Sequence, residues 1–174
     1  MRTIYLLRHA HAVLPDSNGK DFDRALSKSG KVDAANQVQR LIKAGISPDC
    51  ILFSPATRTM QTADIFSTAL NKAYPDTAVI LQAVPSLYRA DAHGYIDEIR
   101  LQAPETANCI IVVGHNPSIE DCALLFTQNN EQLAQRISDG FPTAGLAKIE
   151  TNAAFAEISP HNAELTALYL PHED

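Results

Sequence analysis

The sequence predicts an α/β fold, a three-layer α/β/α sandwich whose central sheet is mostly parallel and carries an antiparallel edge. Short runs that are apolar throughout alternate with longer segments of helical periodicity, the mark of strands buried on both faces by covering helices. Beyond Gly145 that alternation gives way to short strands, as in a meander closing one edge. The 174 residues, 45% hydrophobic and 20% charged, suit one globular domain spanning residues 1–174. At this length about 70% of the unfolded chain's surface can be buried without disulfides or a structural metal.

Ile4-Tyr5-Leu6-Leu7 is the first buried strand and ends at the polar pair Arg8-His9. Pro15 to Asp23, polar and rich in turn formers, is an exposed loop. A helix follows, with Ser27 or Ser29 at its cap, Val32, Ala35, Val38, Leu41 and Ile42 at helical spacing, and Gly45 where a C-cap belongs. Cys50 to Phe53 makes the second strand, and Ser54-Pro55 opens a helix through Ala69 with Met60, Ala63, Ile65 and Phe66 inward. Val79 to Leu81 is a third strand and Ala92 to Leu101 a third helix. Cys109 to Val113, the most strongly apolar run, is the central strand. It ends at Gly114-His115-Asn116-Pro117, and Ser118 is placed to cap a helix containing Ile119, Cys122, Leu124 and Leu125. The closing strands are Leu146 to Ile149, Ala154 to Ile158 and Leu165 to Leu170.

Composition narrows the function classes. A net charge of −6 argues against broad contact with nucleic acid or an anionic membrane, so any anion site must be local. Cys50, Cys109 and Cys122 show no C-x-x-C spacing and read as reduced core thiols. The apolar run after Met1-Arg2-Thr3 is only four residues long, too short for a signal peptide or a membrane span, and a cytoplasmic location is the expectation.

In a parallel sheet, ligands bind at the carboxyl ends of the strands. Three such ends carry cationic or potentially cationic residues: Arg8-His9 after the first strand, Arg58 just after the second, and His115 after the central one. Two arginines present planar forks that match phosphate oxygens. A neutral imidazole is a competent nucleophile toward phosphorus, and either His9 or His115 can take that part while the other stabilises the charge redistributing on the phosphoryl oxygens. The helix after Ser54-Pro55 adds its positive end.

Leu6-Leu7-Arg8-His9-Ala10, the segment Ser54 to Ala63 (SPATRTMQTA), and Val113-Gly114-His115-Asn116-Pro117 occur in the order found in the histidine phosphatase superfamily, which the chain resembles. It is similar in particular to the small SixA-type phosphohistidine phosphatases, and the stretch Arg24 to Gly30 adds to the likeness. The resemblance implies a phosphoglycerate mutase-like fold and catalysis without a cofactor. It makes His9 the nucleophile that becomes phosphorylated, gives Arg8 and Arg58 to the phosphoryl oxygens, and has His115 complete the pocket. The family's Arg-His-Gly reads Arg8-His9-Ala10 here, a change that SixA-like members tolerate.

Larger branches of the superfamily place a carboxylic acid near the pocket, and no position here clearly matches it. Asp91 and Glu120 are candidate general acids, each also readable as a solvated helix-end residue. A weak or absent acid suits a P–N bond. An alkoxide leaving group, near water's value of about 15.7, needs a proton, whereas imidazole, titrating at about 6.5, leaves readily as the neutral ring. The short connections between motifs leave little chain for a lid, so the expected partner is a phosphorylated protein bearing phosphohistidine, with a small phosphorylated molecule as the alternative. Asn116 and His11 are further substrate-binding candidates, although His11, like His93, also reads as solvated. Thr57 can touch phosphate or cap, Ser54 reads as a helix cap, and Tyr88 fits either core or substrate contact.

Two rivals remain. His9-Ala10-His11 is an H-x-H at a strand end that could serve a metal hydrolase, but such barrels need about 250 residues, and Arg8 would set a positive charge beside the cation. A non-catalytic module binding phosphorylated ligands would have no need of a nucleophile.

Overall fold

In the computed structural model, which describes residues 1–128 and 130–173, the apolar runs pair into one six-stranded sheet. Its strands are β1 (Arg2–Arg8), β2 (Cys50–Phe53), β3 (Ile80–Ala83), β4 (Cys109–Gly114), β5 (Leu146–Thr151) and β6 (Ala163–Tyr169). Their spatial order is β3-β2-β4-β1-β5-β6. The pairs β2·β3, β2·β4 and β1·β4 are parallel, whereas β1·β5 and β5·β6 are antiparallel and form the closing edge. The helices are α1 (Lys28–Lys43), α2 (Thr57–Ala73), α3 (Ala92–Gln102), α4 (Ser118–Leu125) and α5 (Glu131–Ser138).

Alternation along the strands sorts the core into two layers. Ile4 and Leu6 of β1, Leu52 of β2 and Val112 of β4 meet Tyr95 and Ile99 of α3, Ile119 and Cys122 of α4 and Ile137 of α5. Tyr5, Leu7, Ile51 and Val113 point the other way, onto Val38 and Leu41 of α1 and Ala63, Phe66 and Leu70 of α2. The three cysteines are free, and burial pushes each thiol up to about 12. No helix among the described residues is long and apolar enough to cross a membrane.

Several elements differ from the sequence reading. Ser27 caps α1 by accepting from Gly30 N, and Gly45, at φ +71°, takes the left-handed turn after the helix that other residues resist. The buried face of α1 is nevertheless Ala34, Gln37, Val38 and Leu41, so Val32, 58% exposed, and Ala35 lie outward. Gln37 is accommodated because its Nε2 donates to Ala144 O at 2.7 Å and Tyr169 O at 3.0 Å. In α2, Met60 is 40% exposed rather than inward. β3 starts one residue later and ends two later than Val79 to Leu81, and lies at the sheet edge with Ile80 and Leu81 exposed. Ser118 begins α4 inside the helix, Pro117 holding the cap position with no side-chain bond. Ala154 to Ile158 is not a strand: Phe155–Glu157 forms a 3-10 turn, so β5 runs directly to β6. The Pro15 to Asp23 loop carries a short 3-10 turn at Asp21–Asp23.

Candidate active site

The carboxyl ends of β1, β2 and β4 are bound to one another through the main chain. His9 N donates to Gly114 O at 3.0 Å, Ser54 N to Val113 O at 3.2 Å, and Arg8 N to Gly145 O at 3.0 Å. Thr62 adds a cross-tie, accepting from Ala10 N at 3.1 Å and donating to Arg58 O at 2.7 Å. Arg8, His9, Arg58, His115 and Asn116 thereby meet around a cavity of about 450 Å³, with His11, Arg24 and Asp21 also among its walls.

His9 Nδ1 lies 2.8 Å from Ala10 O. A carbonyl only accepts, so Nδ1 carries the proton and Nε2 keeps its lone pair. Burial holds the ring neutral, drawing it down to about 3 against the pull of the Ala10 carbonyl, with His115, Arg58 and Arg8 adding to the depression. Arg58 Nε donates to that lone pair at 3.3 Å. His115, its ring centroid 5.4 Å from that of His9, is drawn down to about 4, first by burial and then by Arg58. Its Nε2 is 2.8 Å from Ser54 Oγ. Both imidazoles are therefore neutral at pH 7.

Position 114 must be glycine. A Cβ there would fall 2.0 Å from Tyr95 Oη, whose hydroxyl accepts from His115 N at 3.0 Å and fixes the backbone that carries the ring. Arg8 Nη1 donates to Phe141 O at 2.6 Å, and burial lowers the Arg8 guanidinium while Glu120 opposes that shift. Three buried side-chain atoms of this pocket, Arg8 Nε, His115 Nδ1 and Asn116 Oδ1, have no hydrogen-bond partner. Orphaned groups of this kind cost about 1–3 kcal/mol each and concentrate where function requires them.

The two candidate acids have other employments. Asp91 caps α3 by accepting from Gly94 N at 2.8 Å and does not line the cavity. Glu120 accepts from Asn116 Nδ2 at 2.6 Å, a carboxylate's role, and stands behind Asn116. His11 lines the cavity, with Nδ1 2.8 Å from Ser27 Oγ. Among the described residues, no three His, Cys, Asp or Glu side chains are grouped as a metal ion would need. Ser54, which reads in sequence as a helix cap, is no cap: α2 starts from Ala56 without a side-chain bond, and Ser54 is fully buried against His115.

Sequence reasoning missed Asp21. Its carboxylate binds Arg24 Nη1 at 2.9 Å, Arg58 Nη2 at 3.0 Å and Tyr88 Oη at 3.2 Å. The Arg24 hydrogen bond, supported by Arg58 and Tyr88, holds Asp21 down at about 2. Tyr88 stands edge-on to both His115 and Phe22.

Two neutral histidines and two arginines converge at the carboxyl ends of the parallel strands, a set of groups suited to handling a phosphoryl group, and the chain is similar to the histidine phosphatase superfamily. The family model of its branch 1 matches residues 4–80. The structure is also similar to that of a protein from Nakamurella multipartitia provisionally named phosphohistidine phosphatase SixA. The TM-score is 0.80 at 25% identity, covering 99% of this chain and 97% of that one. A protein from Agrobacterium tumefaciens, provisionally named in the same way, gives a TM-score of 0.77 at 26% identity over 98% of both chains. An uncharacterized protein of Mycobacterium tuberculosis is 28% identical over 169 residues, 95% of this chain and 99% of its own. Family and fold together support a phosphatase acting on phosphorylated substrates.

Proposed function

We propose that this chain hydrolyses phosphohistidine carried on a signalling or phosphotransfer protein, through a phosphorylated His9 and without a metal ion. The observation that carries the reading is the His9 tautomer: Nδ1 is committed to Ala10 O and an unprotonated Nε2 faces the cavity beside Arg58 Nε. In the first step Nε2 attacks phosphorus, the P–N bond of the substrate breaks, and the substrate's imidazole leaves as a neutral ring, its distal nitrogen protonated. The positive charge gathering on His9 is met by the Ala10 carbonyl. Water then attacks the phosphorus, the P–Nε2 bond breaks with its electron pair returning to Nε2, and inorganic phosphate departs as dihydrogen phosphate with both hydrogens of the water.

Arg8 and Arg58 supply the charge for the phosphoryl oxygens in this scheme, and His115, steadied by Ser54, donates to one of them as the transition state forms. Asn116 and His11 contact substrate at the wall and the mouth. The choice of a P–N substrate is supported by the state of the carboxylates. Asp21 is held ionised and Glu120 accepts from Asn116, so neither offers the proton that an alkoxide would require.

The test is phosphate release by metal-stripped enzyme from a phosphohistidine-bearing protein and from an aryl phosphate, with acid-labile phosphate trapped on His9 during turnover. Preference for the protein substrate is the expected result. Turnover of the aryl ester alone would move the substrate to small phosphomonoesters. Activity only after metal is restored, or no phosphate on His9, would refute the mechanism.

A further inference from the structure

The guanidinium of Arg58 has two forks, an end fork made by Nη1 and Nη2 and a side fork made by Nε and Nη2. Asp21 takes both members of the end fork. Its backbone oxygen accepts from Nη1 at 2.7 Å and its carboxylate Oδ2 accepts from Nη2 at 3.0 Å. The side fork is thereby turned toward the nucleophile, with Nε 3.3 Å from His9 Nε2.

Asp21 is itself braced from two sides. Oδ1 accepts from Arg24 Nη1 at 2.9 Å, and Oδ2 also accepts from Tyr88 Oη at 3.2 Å. Its side chain is half exposed while that of Arg58 is buried, so the contact adds little to the core and acts chiefly on where Arg58 points.

We infer that Asp21 is the positioning residue for Arg58, holding the end fork so that the side fork meets the phosphoryl group beside His9. The inference rests on the phosphatase reading above. It makes the 3-10 turn at Asp21–Asp23 part of the phosphoryl-handling apparatus, with Tyr88 linking that turn to the ring of His115. An anion arriving at His9 finds Arg58 already oriented, so its binding does not have to order a four-bond side chain.

Orthovanadate binding, measured by calorimetry, tests this without turnover. Asp21→Ala is expected to weaken vanadate about tenfold or more, the scale of one hydrogen bond to a charged group, and Asp21→Asn less. In an Arg58→Lys background, where no fork remains to be held, Asp21→Ala is expected to add little further loss. Unchanged or tighter vanadate binding by Asp21→Ala would overturn the inference, tighter binding marking Asp21 as a competing anion. Fully additive losses in the double variant would overturn it as well. The turnover of Asp21→Ala is expected to fall by a similar factor for phosphohistidine protein and aryl phosphate. A fall confined to the poorer leaving group would make Asp21 a proton donor instead. Failure of the phosphatase reading shows separately, as absence of acid-labile phosphate on wild-type His9.

Discussion

Acid provides a direct probe of the buried His9 ring. In the folded protein burial holds His9 at about 3, whereas in the unfolded chain a histidine titrates at about 6.5. Below that unfolded value the denatured state takes up a proton that the folded state refuses. The ring's contribution to stability is thus complete above about 6.5 and is lost as the pH falls toward the folded value. At pH 5 the loss spans about 1.5 units, and at about 1.4 kcal/mol per unit it amounts to about 2 kcal/mol. Denaturant unfolding of wild type and His9→Asn at pH 7 and pH 5 isolates this quantity. Wild type is expected to lose about 2 kcal/mol more than the variant on acidification. The His9 Cε1 proton resonance should stay flat over the same range. Equal losses in the two proteins, or a resonance titrating near the free value, would show that burial does not keep the ring neutral and would remove the basis for a lone pair at Nε2.

Other substitutions probe the neighbouring contacts. Arg58→Ala should lower kcat/KM by about 100-fold to 1000-fold with the far-ultraviolet circular dichroism retained; an unfolded variant would refute a role confined to the pocket. Ser54→Ala removes the Oγ partner of His115 and should reduce kcat about fivefold to tenfold, and an unchanged kcat would show that His115 needs no such support. Gly114→Ala drives a methyl group to within 2.0 Å of Tyr95 Oη, an overpacking expected to cost about 1–3 kcal/mol in thermal or denaturant unfolding; a neutral effect would mean that Tyr95 is free to move away.

The sequence displayed much of the scaffold because continuous apolar runs have few alternatives. Cys50 to Phe53 coincides with β2 end to end, and the convergence of Arg8, His9, Arg58 and His115 on one cavity could be expected since they follow strand ends, where a parallel sheet binds ligands. What was hidden depended on the third dimension. Asp21 lies in a polar loop with no periodicity, and only the fold carries it to Arg58. Ser54 sits where a cap is expected, and its bond to a residue 61 positions away leaves no local trace. Along α1 the Val32, Ala35 and Val38 spacing suggested one phase. The structure chose another, because Gln37 finds two backbone carbonyls from the far end of the chain. The helix α5 buries only Leu133 and Ile137 in a polar stretch, too few apolar positions to show a period.

The position of β1 in the sheet has a consequence for biosynthesis. This strand lies between β4 and β5, so its two partners, Cys109–Gly114 and Leu146–Thr151, leave the ribosome long after it. At about 5–20 residues per second the wait is on the order of ten seconds. Throughout it, Ile4 to Leu7 present unpaired backbone and bare apolar side chains, the kind of segment that chaperones shield and that neighbouring nascent chains can capture. His9, translated well before β4 and β5, is thus brought beside His115 only after both of those strands have emerged.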